Sequence, residues 1–401
     1  MKQGMKKQLV LSATVGGIFL FAPVVLAAEE QNAPTVEEVT GSNQVSSETS
    51  TLSEVATSQG IPTVTASSSE NTATGQTSET RLLAMTDDQA SQETKELYAY
   101  LKDLNKKKDI LFGQQHALDE GVTLTSEGSR AGSTDSDVKN AVGDYPAVFG
   151  WDTLSLDGYE KPGVSGDPKQ SIANLTHSMK TAHQLGGIIT MSTHPHNFVT
   201  GGDFNDTSGN VVQEILPGGS KNNQFNQWLD RIAELAHNLK TDEGKTIPVI
   251  FRPFHEQTGS WFWWGESTTN PEQYKALYRY TVEYLRDQKG VHNFLYAYSP
   301  GAGNDRYFKT YPGDAYVDVL GIDSYDDKNQ PGSDSYIQAL KKDTTMLVKE
   351  AEARNKIAAL TEFGYSAQGL KNTGNTLDWY TRIFNALQKD PAASKIAYMM
   401  T

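Results

Sequence analysis

Two glutamates stand at the ends of apolar runs, a pattern suited to acid–base and nucleophilic chemistry at a sugar. The first, Glu256, follows Val249-Ile250-Phe251-Arg252-Pro253-Phe254-His255 and precedes Gly259-Ser260-Trp261-Phe262-Trp263-Trp264-Gly265. Aromatic surroundings strip water from a carboxyl group and disfavour its ionisation, as a general acid at neutral pH requires. The plainer alternative is a glutamate paired with Arg252 to close the strand end. The second, Glu362, closes Ala358-Ala359-Leu360-Thr361 and precedes Phe363-Gly364. If the two carboxyls face one cavity about 5 to 5.5 Å apart, they can carry out a double displacement that retains the anomeric configuration. Glu362 would attack the anomeric carbon, while Glu256 protonates the leaving oxygen and then activates water.

Other strand ends supply supporting groups. Asp323 and Tyr325 follow a further apolar run, and the Tyr325 hydroxyl is expected to hold the nucleophile by a hydrogen bond and keep it ionised. Of Trp261, Phe262, Trp263 and Trp264, two are expected in the core, with Trp261 offering a flat face for the C–H side of a sugar ring. His194 and His196 with Asp203 lack a third ligand at a recognised metal spacing, so no catalytic metal and no cofactor are expected. The chain has no cysteine, which excludes disulfides, thiolate zinc sites and a thiol nucleophile. It also has no Gly-x-Ser-x-Gly elbow.

Positioning such groups takes elements that end at one face. Eight apolar, β-rich runs begin at Ile110, Ala147, Gly187, Ile247, Asn293, Val317, Lys356 and Lys395, alternating with stretches of helical period such as Phe225 to Leu239, Pro271 to Arg286 and Ser335 to Arg354. Eight alternations predict an α/β fold of the (β/α)8 TIM barrel class, whose site lies at the strands' C-terminal ends. There stand Gln114, Gln115 and His116, then Trp151 and Asp152, then His194. A doubly wound open sheet is the weaker alternative, because Gly113-Gln114-Gln115-His116 replaces a Gly-rich phosphate loop after the first strand. The sequence stops at Thr401, at the eighth strand, so a C-terminally truncated barrel is expected. Its last strand would be left partly uncovered unless the helix predicted from Met85 to Leu104, starting at Thr86-Asp87-Asp88, covers it.

Residues 1–28 read as a secretory signal peptide: Lys2, Lys6 and Lys7 precede an apolar stretch ending in Leu26-Ala27-Ala28. Residues 29–84 are rich in Ser, Thr and Glu and read as a disordered linker, and residues 85–401 as the catalytic domain. The expected location is therefore outside the cell or in the cell wall. A net charge of -14 argues against nucleic acid or an anionic membrane as partner and suits a neutral polysaccharide. A monomer is expected.

The run Arg252-Pro253-Phe254-His255-Glu256, with Gly259 and Trp261-Phe262-Trp263-Trp264-Gly265, resembles the acid/base motif of glycoside hydrolase family 26, whose principal members are endo-β-1,4-mannanases. The likeness extends over most of Leu111 to Thr401, through Phe112-Gly113-Gln114, Gly150-Trp151-Asp152, Tyr298-Ser299-Pro300, Gly321-Ile322-Asp323-Ser324-Tyr325 and Thr361-Glu362-Phe363-Gly364. It implies Glu256 as acid/base, Glu362 as nucleophile and Tyr325 as the nucleophile's partner. His194, Arg252, His255 and Trp261 would line the subsite of the attacked sugar. The chain departs from the family at Thr193, where a Trp is usual, and at Thr401, where members continue to a further active-site Trp. The resemblance implies mannan, glucomannan or galactomannan as substrate. The alternatives are mixed-linkage β-glucan or β-1,3-xylan with the same mechanism, or a non-catalytic carbohydrate-binding surface protein.

Overall fold

The computed structural model describes residues 85–401 except 126, 304, 328, 366–370 and 372. The expected signal peptide and linker lie outside the described residues.

Eight parallel strands close into a barrel in sequence order: β1 (Leu111–Gln115), β2 (Val148–Asp152), β3 (Ile188–Ser192), β4 (Val249–Arg252), β5 (Phe294–Tyr298), β6 (Val319–Tyr325), β7 (Ile357–Gly364) and β8 (Tyr398–Met400). β8 closes on β1, with Leu111 opposite Tyr398 and Gly113 opposite Met400. The helices are α1 (Gln92–Lys107), α2 (Asp137–Val142), α3 (Leu154–Asp157), α4 (Pro168–Gln184), α5 (Val211–Ile215), α6 (Asn222–Asn238), α7 (Pro271–Glu283), α8 (Asp334–Arg354) and α9 (Trp379–Lys389). This is the (β/α)8 barrel expected from the eight apolar runs.

Strand alternation divides the apolar residues between two cores. Val249 and Phe251 of β4 pack outward with the helices, whereas Ile250 packs inward with Leu295, Val319, Ile357 and Ala359. The same alternation carries Arg252 to the inner side at the mouth, beside Ser299 and Asp323. The inner layer is tight there. A Cβ added to Gly321 would lie 2.5 Å from Thr361 and 3.0 Å from Ser299, so a residue without a side chain is needed at this point of β6.

α1 seals the floor. Its buried Tyr98, Leu101 and Leu104 pack against the inner layer formed by Val148, Ile250, Val319 and Ile357. The Tyr98 hydroxyl donates to the Asn355 carbonyl at 2.6 Å. The helix begins later than the sequence suggests, at Gln92 behind the N-cap Ser91. Residues 86–90 are instead pinned to the barrel: Thr86 N donates to Asp318 Oδ1 at 2.7 Å, and Asp87 Oδ2 lies 2.8 Å from His292 Nδ1. Nor is β8 left bare, because its outward Met399 is buried in the same cluster as Ile383 and Leu387 of α9.

Candidate active site

The strand-four glutamate reaches the mouth through a strained turn. β4 ends at Arg252, and Phe254 and Glu256 then adopt left-handed φ values of 52° and 53°. Such backbone costs roughly 1–3 kcal/mol at each non-glycine residue and persists only where its surroundings over-determine it. They do so here. Phe254 N donates to Thr193 Oγ1 at 3.1 Å, and the Phe254 carbonyl accepts from the Tyr274 hydroxyl at 2.8 Å. The His255 carbonyl accepts from Trp264 Nε1 at 2.8 Å, and Glu256 N donates to the Ser299 carbonyl at 2.9 Å. Thr193 is thus a fastener of this turn. Trp261 Nε1 then donates to Glu256 Oε2 at 2.9 Å.

Glu362 is aimed by a different device. On β7, Ile357 and Ala359 belong to the inner core and Thr361 also points inward, so simple alternation would turn Glu362 outward. A β-bulge intervenes. Ile322 pairs with Leu360 but Asp323 pairs with Glu362, so β7 gains one residue over β6 and Glu362 turns into the mouth. Phe363 then faces out and stacks on Trp379 at 5.6 Å. Once inside, Glu362 Oε2 accepts from the Tyr325 hydroxyl at 2.6 Å, and its Oε1 is bonded by the Arg252 guanidinium. Arg252 also donates to Asp323 Oδ2 at 2.8 Å, and Asp323 Oδ1 accepts from Thr361 Oγ1 at 2.6 Å. Burial opposes the Arg252 charge, but Asp323 and Glu362 outweigh it and raise its affinity for the proton.

A pair of histidines closes the side next to β3. His194 Nδ1 lies 2.8 Å from Asp152 Oδ2, and the same carboxylate oxygen accepts from Ser192 Oγ at 2.6 Å. Burial works against the charge on both partners. Their mutual attraction wins, lowering Asp152 to about 2 and raising His194. His255 behaves oppositely: burial, then the charges of Arg252 and His194, push it well below the usual range and keep it neutral. Its Nε2 lies 3.9 Å from Glu362 Oε1. The two imidazoles meet edge to face at 4.5 Å beside Phe262.

All seven expected site residues therefore gather at the C-terminal mouth. One oxygen from each of Glu256, Asp323 and Glu362 lies within 4.8 Å of the others. Asp323 and Glu362 already share Arg252, whose guanidinium supplies the positive charge that such a cluster would otherwise draw from a cation. Burial pushes Glu256 up to about 7, and the charge of Glu362 adds to the rise. The arrangement thus offers a proton donor at neutral pH close to a carboxylate whose two oxygens are fixed by separate donors. Trp261, 44% exposed, is the aromatic open to a ligand, while Phe262, Trp263 and Trp264 are all buried, one more core residue than expected. His196 packs at a tilt against Phe198, ring centres 4.4 Å apart, away from the His194–Asp152 pair.

One rim pair escaped the sequence reading. His116, at a left-handed φ of 50° after β1, places Nε2 2.9 Å from Glu160 Oε2 on the α3–α4 loop. Burial opposes its charge, yet the bond to Glu160 raises it to about 9. The position of His116 at a strand end was visible, but its partner lies on an irregular loop that no periodicity marks.

Comparison with known proteins bears on this site. A mannan endo-1,4-beta-mannosidase of Bifidobacterium adolescentis is 45% identical over 325 residues, covering 79% of this chain. The chain spans 32% of that relative's length. The solved catalytic domain of a Bacillus sp. JAMB-750 endo-beta-1,4-mannanase superposes with a TM-score of 0.77 at 59% identity, covering 79% of this chain and 82% of that one. A Cellulomonas fimi endo-beta-1,4-mannanase double mutant does so with a TM-score of 0.75 at 46% identity, over 79% of this chain and 70% of that one. Residues 86–396, which hold the whole barrel mouth described above, match the model of glycosyl hydrolase family 26, and the chain belongs to that family.

Proposed function

We propose that this protein is an exported endo-glycosidase that hydrolyses internal β-1,4-mannosidic bonds of mannan, glucomannan or galactomannan with retention of configuration. The observation that carries the mechanism is the separation of the two glutamates. One oxygen of Glu256 lies within 4.8 Å of one of Glu362, which supports the close pair of a double displacement, about 5–5.5 Å apart, over the about 6.5–9.5 Å of an inverting pair. Glu256 donates a proton to the departing oxygen while Glu362 bonds to the anomeric carbon. Loss of the Glu362 charge in the resulting ester removes one of the two causes that raise Glu256. Its proton affinity falls, and it can then take a proton from the water that releases the sugar.

Tyr325 and Arg252 fix the lone pairs of the nucleophile, while His194, His255 and Trp261 line the sugar subsite. The mannan preference draws support from the names of the relatives, and export from the Lys2 to Ala28 pattern. Incubation with linear β-1,4-mannan, mixed-linkage β-glucan and β-1,3-xylan, followed by measurement of new reducing ends, tests the substrate. Short manno-oligosaccharides are expected. Activity confined to another glycan would replace the substrate and keep the mechanism, and silence on all three would favour a carbohydrate-binding surface protein.

A further inference from the structure

The aromatic that bonds the acid is itself held from another strand end. Trp261 is the exposed aromatic of the β4–α7 loop, and its Nε1 donates to Glu256 Oε2 at 2.9 Å. Its ring lies over Gly259, where an added Cβ would meet the indole at 2.4 Å. A half-exposed side chain of that size keeps one orientation only if its backbone is fixed, because ordering it costs conformational entropy. The fixing comes from the β3–α5 loop. Asn205 Nδ2 donates to the Trp261 carbonyl at 2.9 Å, and the Phe204 carbonyl accepts from Trp263 N at 3.2 Å. Two consecutive residues of one loop thus clasp the other.

The β3–α5 loop can bear that role because it is built around a buried amide. Asn197 Oδ1 accepts from the backbone N–H groups of Val199 and Thr200, and its Nδ2 donates to the Asp206 and Ser208 carbonyls at 2.7 and 2.9 Å. Asp203 Oδ1 accepts from Asn205 N at 2.9 Å, a local turn that aims the Asn205 side chain. Phe204 packs against His194 and Phe262, with ring centres 4.7 and 5.9 Å away. We propose that Asn205 is a positioning residue for Glu256: by holding the Trp261 backbone it keeps the indole bonded to Glu256 Oε2, so that the β3–α5 loop governs the acid that follows β4. Its bearing on catalysis rests on the acid role proposed above.

The consequence is a change in when the acid holds its proton. Glu256 faces Glu362 of β7, Arg252 of β4, His194 after β3, and Asp323 and Tyr325 of β6. Burial and the Glu362 charge raise its proton affinity, whereas the Trp261 bond, Arg252 and His194 lower it. Loss of the indole bond therefore leaves the acid protonated to higher pH.

Asn205→Ala tests the clasp at a half-buried loop position where folding is not at risk. The ¹H–¹⁵N signal of the Trp261 indole, assigned by its loss in Trp261→Phe, reads the titration of Glu256 without any substrate. Its midpoint is expected at about 7 in the parent and about one pH unit higher in Asn205→Ala. The basic limb of kcat/KM on linear β-1,4-mannan should move by the same amount. A lower plateau with midpoint and limb both unmoved would mark a merely structural role and overturn the proposal. So would a parent indole that senses no titration. In the Trp261→Phe background Asn205→Ala should shift the limb no further, and an added shift would overturn the route through Trp261. A moved midpoint with an unmoved limb, or with a parent that cleaves no glycan, would keep the hold of Asn205 on Glu256 and sink the role of Glu256 as acid.

Discussion

Glu256 owes its raised proton affinity to burial first and to the Glu362 charge second, and both causes have measurable consequences. The acid must be protonated for bond cleavage, so kcat/KM is expected to fall as pH rises through about 7. Glu256→Gln should lose roughly 10²–10⁴ in turnover on a substrate with a poor leaving group and lose that basic limb as well. The same shift acts on stability. A carboxyl raised from 4.5 to about 7 favours the folded state in its protonated form, a contribution lost as pH climbs between those values. Glu256→Gln should therefore be more stable than the parent by on the order of 1–3 kcal/mol near pH 8, with the difference vanishing near pH 4, as read by denaturant unfolding. A gain independent of pH would remove the electrostatic explanation. At Tyr325 the hydroxyl bond to Glu362 is charge-assisted, worth about 1.5–3 kcal/mol. Tyr325→Phe is expected to lower kcat about 10- to 100-fold, and a variant with parental kcat would show that Arg252 alone holds the nucleophile.

Two elements show where local sequence rules stop. Period-two alternation on β7 assigns Thr361 to the inside and would send Glu362 out, and both face inward only because β7 carries an extra residue against β6. Nothing in Ala359-Leu360-Thr361-Glu362 marks that bulge, since its cause is the pairing with another strand. The start of α1 was displaced for a similar reason: Thr86 and Asp87 resemble a helix start, but the Thr86 backbone N–H is held by Asp318 and the Asp87 carboxylate by His292, far along the chain. The helix itself was legible from Tyr98, Leu101 and Leu104 at one-face spacing. Because these residues seal the barrel floor, away from the carboxyls, Leu101→Ala should cost about 2–5 kcal/mol in urea unfolding. The kcat of the remaining folded molecules should match the parent, and a fall in kcat would show that the floor helix also sets the geometry of the mouth.

On the scale of the whole molecule, the barrel was readable because β2 to β8 are short, largely apolar runs buried along nearly their whole length, only β1 being half-buried. The carboxyl pair was readable because such strands end at one face. Rim features were not, because Glu160, the partner of His116, sits on a loop whose path depends on what it packs against. The net charge of -14 adds a further expectation. A neutral polymer gains nothing from that field, so KM for mannan should change less than about twofold between about 0.05 and 0.5 M salt, and a steep salt dependence would point to a charged ligand. The central claim is that Glu362 forms a covalent bond to the sugar while Glu256 serves as acid and base. Trapping with a 2-deoxy-2-fluoro-mannosyl donor, followed by peptide mass spectrometry, tests it most directly. A single fluoro-sugar ester on Glu362 is the expected result, and a label on any other residue, or hydrolysis with inverted configuration and no label, would contradict it.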